Sequence, residues 1–428
     1  MFGGLFYLSS RAQSNMKPVS VDGRVDFSEK SYIALPAFSA VRSNTGVAIH
    51  EIDDARLLDA VKDVGFSFVR TDLFWEQVQT NGVSPWHFAA FDILIDRLAS
   101  RQLGALFILG NKHYFYSDNH PPVTDLQRAL FGQYVYESAK HYRNASVRFE
   151  VWNEEDGEPN WHLLSPPPVY RRLLQVAISA AHEANPHVVM ATGGVIGVNR
   201  DFIHAVGDIL TAHQPGPDAV GVHPYRQNNP ESALADYAAL RQDLSAYQKP
   251  PAIWVTEWSY PSYGFNYVDD INNGHAPLAR ERQANYAVRC LLVDWIAQIP
   301  LSVYYDMRDD GPDPMNREHN FGLLDSNNVP LPAYVALKHL FAMTAGVKRA
   351  GYLIDFGKHD AILKMIAQDS VRYIIWATNS DGSIELDTSL LPPSATLTDL
   401  YGKALKSHGT LIVREEDGPV FIHIPVHE

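Results

Sequence analysis

The sequence predicts an α/β protein, a (β/α)8 TIM barrel carrying a small C-terminal antiparallel β-sandwich. Three observations predict it. Between about residues 45 and 332, short apolar runs alternate with amphipathic stretches, the pattern of repeated βα units around a parallel sheet. After about residue 344 the texture changes to short alternating runs broken by turn signals, which reads as antiparallel strands. The 428 residues exceed the roughly 250–300 at which a single core stops growing, so the length fits a barrel plus a smaller domain. The boundaries follow as 1–40 for an N-terminal extension, 41–345 for the barrel and 346–428 for the β-domain.

Residues 46–50 make the first strand and 53–64 the helix after it, with acidic residues in its first turn. The second strand is 66–70. Strands three to six are 105–109, 147–152, 188–192 and 219–223; the seventh and eighth are 252–256 and 301–305. Helical patterns such as 169–183 separate most of them, and about eight strands is the count a closed barrel requires. In the β-domain, 373–377, 410–413 and 420–424 read as strands around a turn at 379–382. The extended segment 21–38 is expected to add a strand to that domain.

The composition, 46% hydrophobic and 20% charged, is that of a globular protein. A formal net charge of -14 opposes approach to phosphate backbones and anionic membranes, so no nucleic-acid partner is expected. No apolar run approaches the ~18 residues of a membrane-spanning helix. Residues 1–10 hold a short apolar patch without a basic stretch before it, a poor match to a secretory signal. Cys290, the single cysteine, cannot form an intramolecular disulfide or a thiolate cluster, and its apolar surroundings in sequence read as core. The 18 histidines include no His-Glu-x-x-His pair, so neither a metal nor another cofactor is expected. Compartment and oligomeric state have no signature in the sequence.

Functional residues of such barrels stand just past the C-terminal ends of the strands, where eight segments converge. This chain has there His50; Arg70, Asp72 and Trp75; Asn111 and His113; Trp152, Asn153 and Glu154; His223 and Tyr225; Glu257 and Trp258; and Tyr305, Asp306 and Arg308. Glu154 and Glu257, at strands four and seven, are expected to face each other across the mouth. Glycosidic cleavage through an oxocarbenium-like transition state uses such a pair, one carboxyl protonating the leaving oxygen and one carboxylate attacking the anomeric carbon. Arg70 aimed at Glu257 favours the anion there, and Tyr225 can donate to the same carboxylate. Glu154, losing water to an aromatic wall when sugar binds, stays protonated. A carboxyl separation of about 5–5.5 Å makes such an enzyme retaining, and about 6.5–9.5 Å inverting. His50 and His113 are candidates for binding sugar hydroxyls. Trp75, Trp161 and Trp258, with Tyr260, Tyr263, Phe265 and Tyr267, are candidates for stacking on sugar faces. The run 309–313 reads as a solvated loop.

Phe68-Val69-Arg70, Val151-Trp152-Asn153-Glu154 and Trp254-Val255-Thr256-Glu257-Trp258, in this order on strands two, four and seven, resemble glycoside hydrolase clan A. The resemblance is nearest to family 39 and its relatives, which include β-xylosidases, α-L-iduronidases and exopolysaccharide-degrading glycosidases. Residues 320–325 and 330–334 are similar to the end of the barrel and the final helix of such proteins, so the resemblance covers about 45 to 340. It implies Glu154 as acid/base, Glu257 as nucleophile and Asn153 as the ligand of the sugar 2-hydroxyl. The implied activity is retaining hydrolysis of an oligo- or polysaccharide, a bacterial exopolysaccharide or β-xyloside among the candidates, without a cofactor. The chain departs from the pattern at Glu155, where proline commonly follows, and at Tyr305-Asp306, where tryptophan is more usual. Glu155 or Glu158 becomes the acid if the register slips by one. A sugar-binding protein without turnover and a transglycosidase are the alternative functions. The long loop 258–277 suggests an extended cleft and endo action.

Overall fold

The computed structural model describes residues 32–80, 86–157, 160–161, 166–207, 215–355, 360–380, 382–406 and 409–426. The opening residues and Glu158, considered above, lie outside that set. Two compact units divide the chain: residues 37–346 form one, and residues up to 36 join 347–428 in the other. The first described strand, β1 (Ile33–Ala34), belongs to the smaller unit.

The larger unit is a closed barrel of eight parallel strands in chain order: β2 (Thr45–Ala48), β3 (Phe68–Phe74), β4 (Gly104–Gly110), β5 (Val147–Val151), β6 (Met190–Ile196), β7 (Ala219–His223), β8 (Ala252–Trp258) and β9 (Ser302–Tyr304). Strands covered on both faces read as continuous apolar runs, and β4 is buried over almost its whole length. Each strand is followed by a helix: α1 (Ala55–Val64), α2 (Ala89–Ser100), α3 (Asp125–His141), α4 (Pro166–Ala184), α5 (Arg200–Ala205), α6 (Ala233–Leu244), α7 (Pro277–Ile296) and α8 (Pro332–Met343). On α1, Leu57, Leu58, Val61 and Val64 form one buried stripe, each contributing about 1.5–3 kcal/mol of burial. Asp54 starts that helix by accepting the Arg56 N–H, and Gly65 ends it in the left-handed region at φ 115°. Cys290 is buried on α7.

The lower barrel interior is filled by Ala48, Phe68, Leu106, Ala191, Ala219, Trp254, Leu301 and Val303. Phe68 claims the space where a Cβ on Gly46 would stand, 2.4 Å from its ring, so only glycine fits there. This plug closes the bottom of the barrel and leaves the mouth for polar groups.

The second strand differs from the sequence expectation of 66–70 in its ends. It runs on to Phe74, so Arg70 and Asp72 lie within the strand and, two residues apart, share its inward face. Among the described residues no helix is long and apolar enough to cross a membrane.

In the smaller unit, β1 pairs antiparallel with β10 (Arg349–Asp355). The sheet continues through β11 (Asp360–Ile366) and β12 (Ser370–Ala377) to β16 (Val420–Pro425) and β14 (Thr396–Thr398), while β13 (Ser383–Asp387) pairs with β15 (Thr410–Arg414). Ile362, Tyr373, Ile375, Leu397 and Ile422 of the first sheet pack with Ile384, Leu386 and Val413 of the second, which makes a β-sandwich.

Candidate active site

A cavity of about 530 Å³ opens at the barrel mouth. His50, Arg70, Asn153, Glu154, Tyr225, Glu257 and Tyr305 line it, together with Asp72, Arg226, Gln227, Phe265, Arg317, Glu318 and Phe321.

Arg70 organises the floor. Its Nε donates to Glu150 Oε2 at 2.8 Å, Nη1 to Glu257 Oε2 at 2.7 Å and Nη2 to Asn153 Oδ1 at 2.6 Å. A guanidinium has only donors, so Asn153 must present its oxygen to Arg70. Its Nδ2 is thereby left to donate toward the cavity. Burial opposes the charge on Arg70, but Glu150 and Glu257 beside it outweigh burial and hold the proton firmly.

Glu257 accepts a second hydrogen bond, from the Tyr225 hydroxyl to Oε1 at 2.9 Å. Burial pushes its carboxyl up; the charges of His223 and Arg70 and the hydrogen bonds from Tyr225 and Arg70 overcome that and set it below the ordinary carboxylate range. Tyr225 itself is raised well above its usual value by burial and by Glu257, so it remains a donor.

Glu154 is reached differently. The chain leaving β5 passes through left-handed backbone at Trp152 (φ 77°) and Glu154 (φ 49°), conformations that cost energy for residues other than glycine. The Glu154 N–H is held by the Gly194 carbonyl at 3.0 Å. Its carboxylate meets His223 Nδ1 at 3.1 Å and accepts from Asn160 Nδ2 at 3.2 Å. Among the described residues, the ion-pair contact found for Glu154 is the one with His223, which carries charge only when its ring is protonated. His223 is fully buried and lies beneath the cavity, its ring against the backbone of Gly194, where a Cβ would stand 2.0 Å from Nε2. One oxygen of Glu154, one ring nitrogen of His223 and one oxygen of Glu257 all lie within 4.8 Å of one another.

Of the residues expected at the mouth, Trp75, Asn111, His113, Trp152, His223, Trp258, Asp306 and Arg308 do not line the cavity. Trp258 is buried, donating to Ser302 Oγ at 2.7 Å, and the pairing of β8 with β9 shifts register between Val255 and Trp258, so simple alternation from Trp254 does not hold at Glu257. Trp75 is buried between β3 and α3, edge-on to Phe131 and donating to Gln79 Oε1 at 2.9 Å. His113 is a buried cap, its Nδ1 accepting from the Phe115 N–H at 3.0 Å. Asp306 is sealed from the cavity, while its neighbour Tyr305 lines it. Of the other aromatic residues proposed to stack on sugar, Trp161 and Tyr260 are core and Tyr267 stacks on Tyr286; Phe265 lines the cavity. The run 309–313 is not wholly solvated either, since Asp309 is buried against Arg280 at 2.6 Å. Glu155 is fully buried away from the cavity.

Sequence reasoning missed Glu150, whose signal was a charged residue inside an apolar strand. Burial pushes Asp72, which lines the cavity, up to about 6. Asn160 comes from a loop and Arg317 and Glu318 from the short 3-10 helix Arg317–Asn320, and none carried a local signal.

No family model and no curated protein matches the sequence. Solved structures do match. A family 39 glycoside hydrolase from the gut symbiont Bacteroides cellulosilyticus WH2 superposes with a TM-score of 0.73 at 22% identity, over 90% of this chain and 82% of that one. The chain has the fold of clan A glycoside hydrolases. A glucosidase from Croceicoccus marinus matches with a TM-score of 0.63 at 16% identity, covering 91% of this chain and 97% of that one. A family 30 endoxylanase from Clostridium papyrosolvens C71 matches with a TM-score of 0.57 at 10% identity, covering 90% of this chain and 96% of that one. The clan A likeness read from the three strand motifs therefore holds for the fold, across both the barrel and the sandwich.

Proposed function

We propose that this protein is a retaining glycosidase that cleaves an oligo- or polysaccharide by double displacement. The observation that carries the reading is the close approach of two carboxylates in one cavity, with oxygens of Glu154 and Glu257 within 4.8 Å. An approach this close is in keeping with the roughly 5–5.5 Å between carboxyl groups that direct attack on the anomeric carbon uses, whereas inversion needs a wider gap of about 6.5–9.5 Å to seat a water.

Glu257 is the nucleophile. Arg70 and Tyr225 hold it ionised and aimed, so it attacks the anomeric carbon as the glycosidic C–O bond breaks. Glu154 gives its proton to the departing oxygen. It then takes a proton from the water that displaces Glu257, which restores both side chains. Asn153, its amide fixed by Arg70, donates Nδ2–H to the hydroxyl beside the reacting carbon. His50 and Tyr305 contact the sugar from the wall, and the rings of Phe265, Tyr305 and Phe321 offer apolar surface to its faces. The candidate substrates are bacterial exopolysaccharides and β-xylosides; the endoxylanase and glucosidase neighbours support a glycan.

Incubation with a panel of aryl glycosides and purified exopolysaccharides, read by reducing ends and by proton NMR of the first product, tests this. The expected result is product of unchanged anomeric configuration. Inverted product overturns the mechanism, binding without release identifies a sugar-binding protein, and longer chains at high acceptor concentration identify a transglycosidase.

A further inference from the structure

We infer that a divalent cation of the zinc or manganese type binds between His50, Asp306 and Asp310. His50 Nδ1 lies 2.7 Å from Asp310 Oδ1 and 3.9 Å from Asp306 Oδ2, and one donor atom from each residue lies within 4.8 Å of the others. Donors around a tetrahedral ion with bonds of about 2.0–2.2 Å stand about 3.3–3.6 Å apart. The observed distances bracket that spacing, so small side-chain rotations would close the site.

Asp306 supplies the independent observation. Its side chain is 3% exposed, and Oδ1 is buried without a hydrogen-bond partner. Burying a carboxylate unpaired is costly. The flanking arginines do not relieve it: Arg308 is turned to Glu51 at 2.8 Å and Asp54 at 3.1 Å, and Arg280 is taken by Asp309 at 2.6 Å. The other oxygen of the same carboxylate, Oδ2, lies 3.9 Å from His50 Nδ1, and one oxygen of Asp306 is grouped with Asp310 and that ring nitrogen. One nitrogen and two anionic oxygens form a donor set for zinc or manganese.

The ligands come from the end of β2 and the segment after β9, 260 residues apart for His50 and Asp310, so no local spacing announces the site. The bound ion would tie those two neighbouring strand ends together and fix His50 with Nδ1 as ligand. Nε2–H would then be the hydrogen-bond donor of that ring.

The test uses the full chain, dialysed against EDTA and titrated with Zn²⁺ by calorimetry and with Mn²⁺ by electron paramagnetic resonance. Saturable binding of one equivalent is expected, weakened by about 10–100-fold or more in both Asp306→Asn and Asp310→Asn and unchanged in Glu257→Gln. Asp310, 30% exposed, carries the test if the Asp306 variant fails to fold. Absence of saturable binding, or binding indifferent to both substitutions, overturns the inference. Loss in Glu257→Gln also overturns it, by placing the ion among Glu154, His223 and Glu257.

Discussion

Arg70 Nη1 binds Glu257 Oε2 at 2.7 Å, with the two side chains only 3% and 13% exposed. The same guanidinium pairs with Glu150 at 2.8 Å, so one cation holds two carboxylates that water scarcely reaches. Removing it strands both charges. Arg70→Met is expected to lower unfolding stability by about 3–5 kcal/mol in urea titrations. Adding Glu150→Gln should recover part of that loss, because one stranded charge is gone; strictly additive losses would contradict the coupling. Arg70→Lys keeps the charge without the fork and should fall between wild type and Arg70→Met.

Glu257 must be ionised to attack. Its pKa lies below the ordinary carboxylate value, because the nearby charges and hydrogen bonds outweigh burial, which pushes it up. Activity is therefore present above that depressed pKa and is lost as pH falls through it. Tyr225→Phe deletes one of the lowering hydrogen bonds, so the acid limb of kcat/KM should move to higher pH. The rate on the plateau should fall by about 10–100-fold, the worth of a hydrogen bond to a charged group. An unmoved acid limb would argue against Glu257 as the titrating group.

For Glu154, the expected signature is selective. Glu154→Ala should slow hydrolysis of natural linkages by about 100–10,000-fold, since their leaving oxygens need a proton. Aryl glycosides with acidic leaving groups should lose far less in the glycosyl-transfer step. Equal losses on both substrate types would remove Glu154 from the acid role.

Trp258 and Trp75 lie in the core, so their substitution should be felt in stability rather than in substrate binding. Trp258→Ala should cost about 3–5 kcal/mol. The milder Trp75→Phe should leave KM within about twofold, since Trp75 itself is buried and does not line the cavity. A large rise in KM with unchanged stability would return either tryptophan to the substrate site.

The barrel was legible because each buried parallel strand writes a continuous apolar run, and all eight runs name segments that overlap the observed strands. Strands β10 and β11 were not marked, because Arg349, Gly351, Asp355, Asp360 and Lys364 interrupt their alternation. In the mouth, sequence position brought Glu154, Glu257, Arg70, Asn153 and Tyr225 to one cavity. It misplaced Trp258 and Asp306, which are buried: β8 shifts register between Val255 and Trp258, and Asp306 lies past the end of β9, so neither position follows from strand alternation. Glu150 and His223 work from beneath the surface, and the contacts that orient them span 80 and 69 positions, beyond any local pattern.

The most direct test is to trap the intermediate. A 2-fluoro glycoside with an activated leaving group, matched to whichever sugar is turned over, should inactivate the enzyme. Peptide mass spectrometry should then find one glycosyl unit on Glu257. A label on Glu154 or Glu155, or full turnover by Glu257→Ala, would contradict the account.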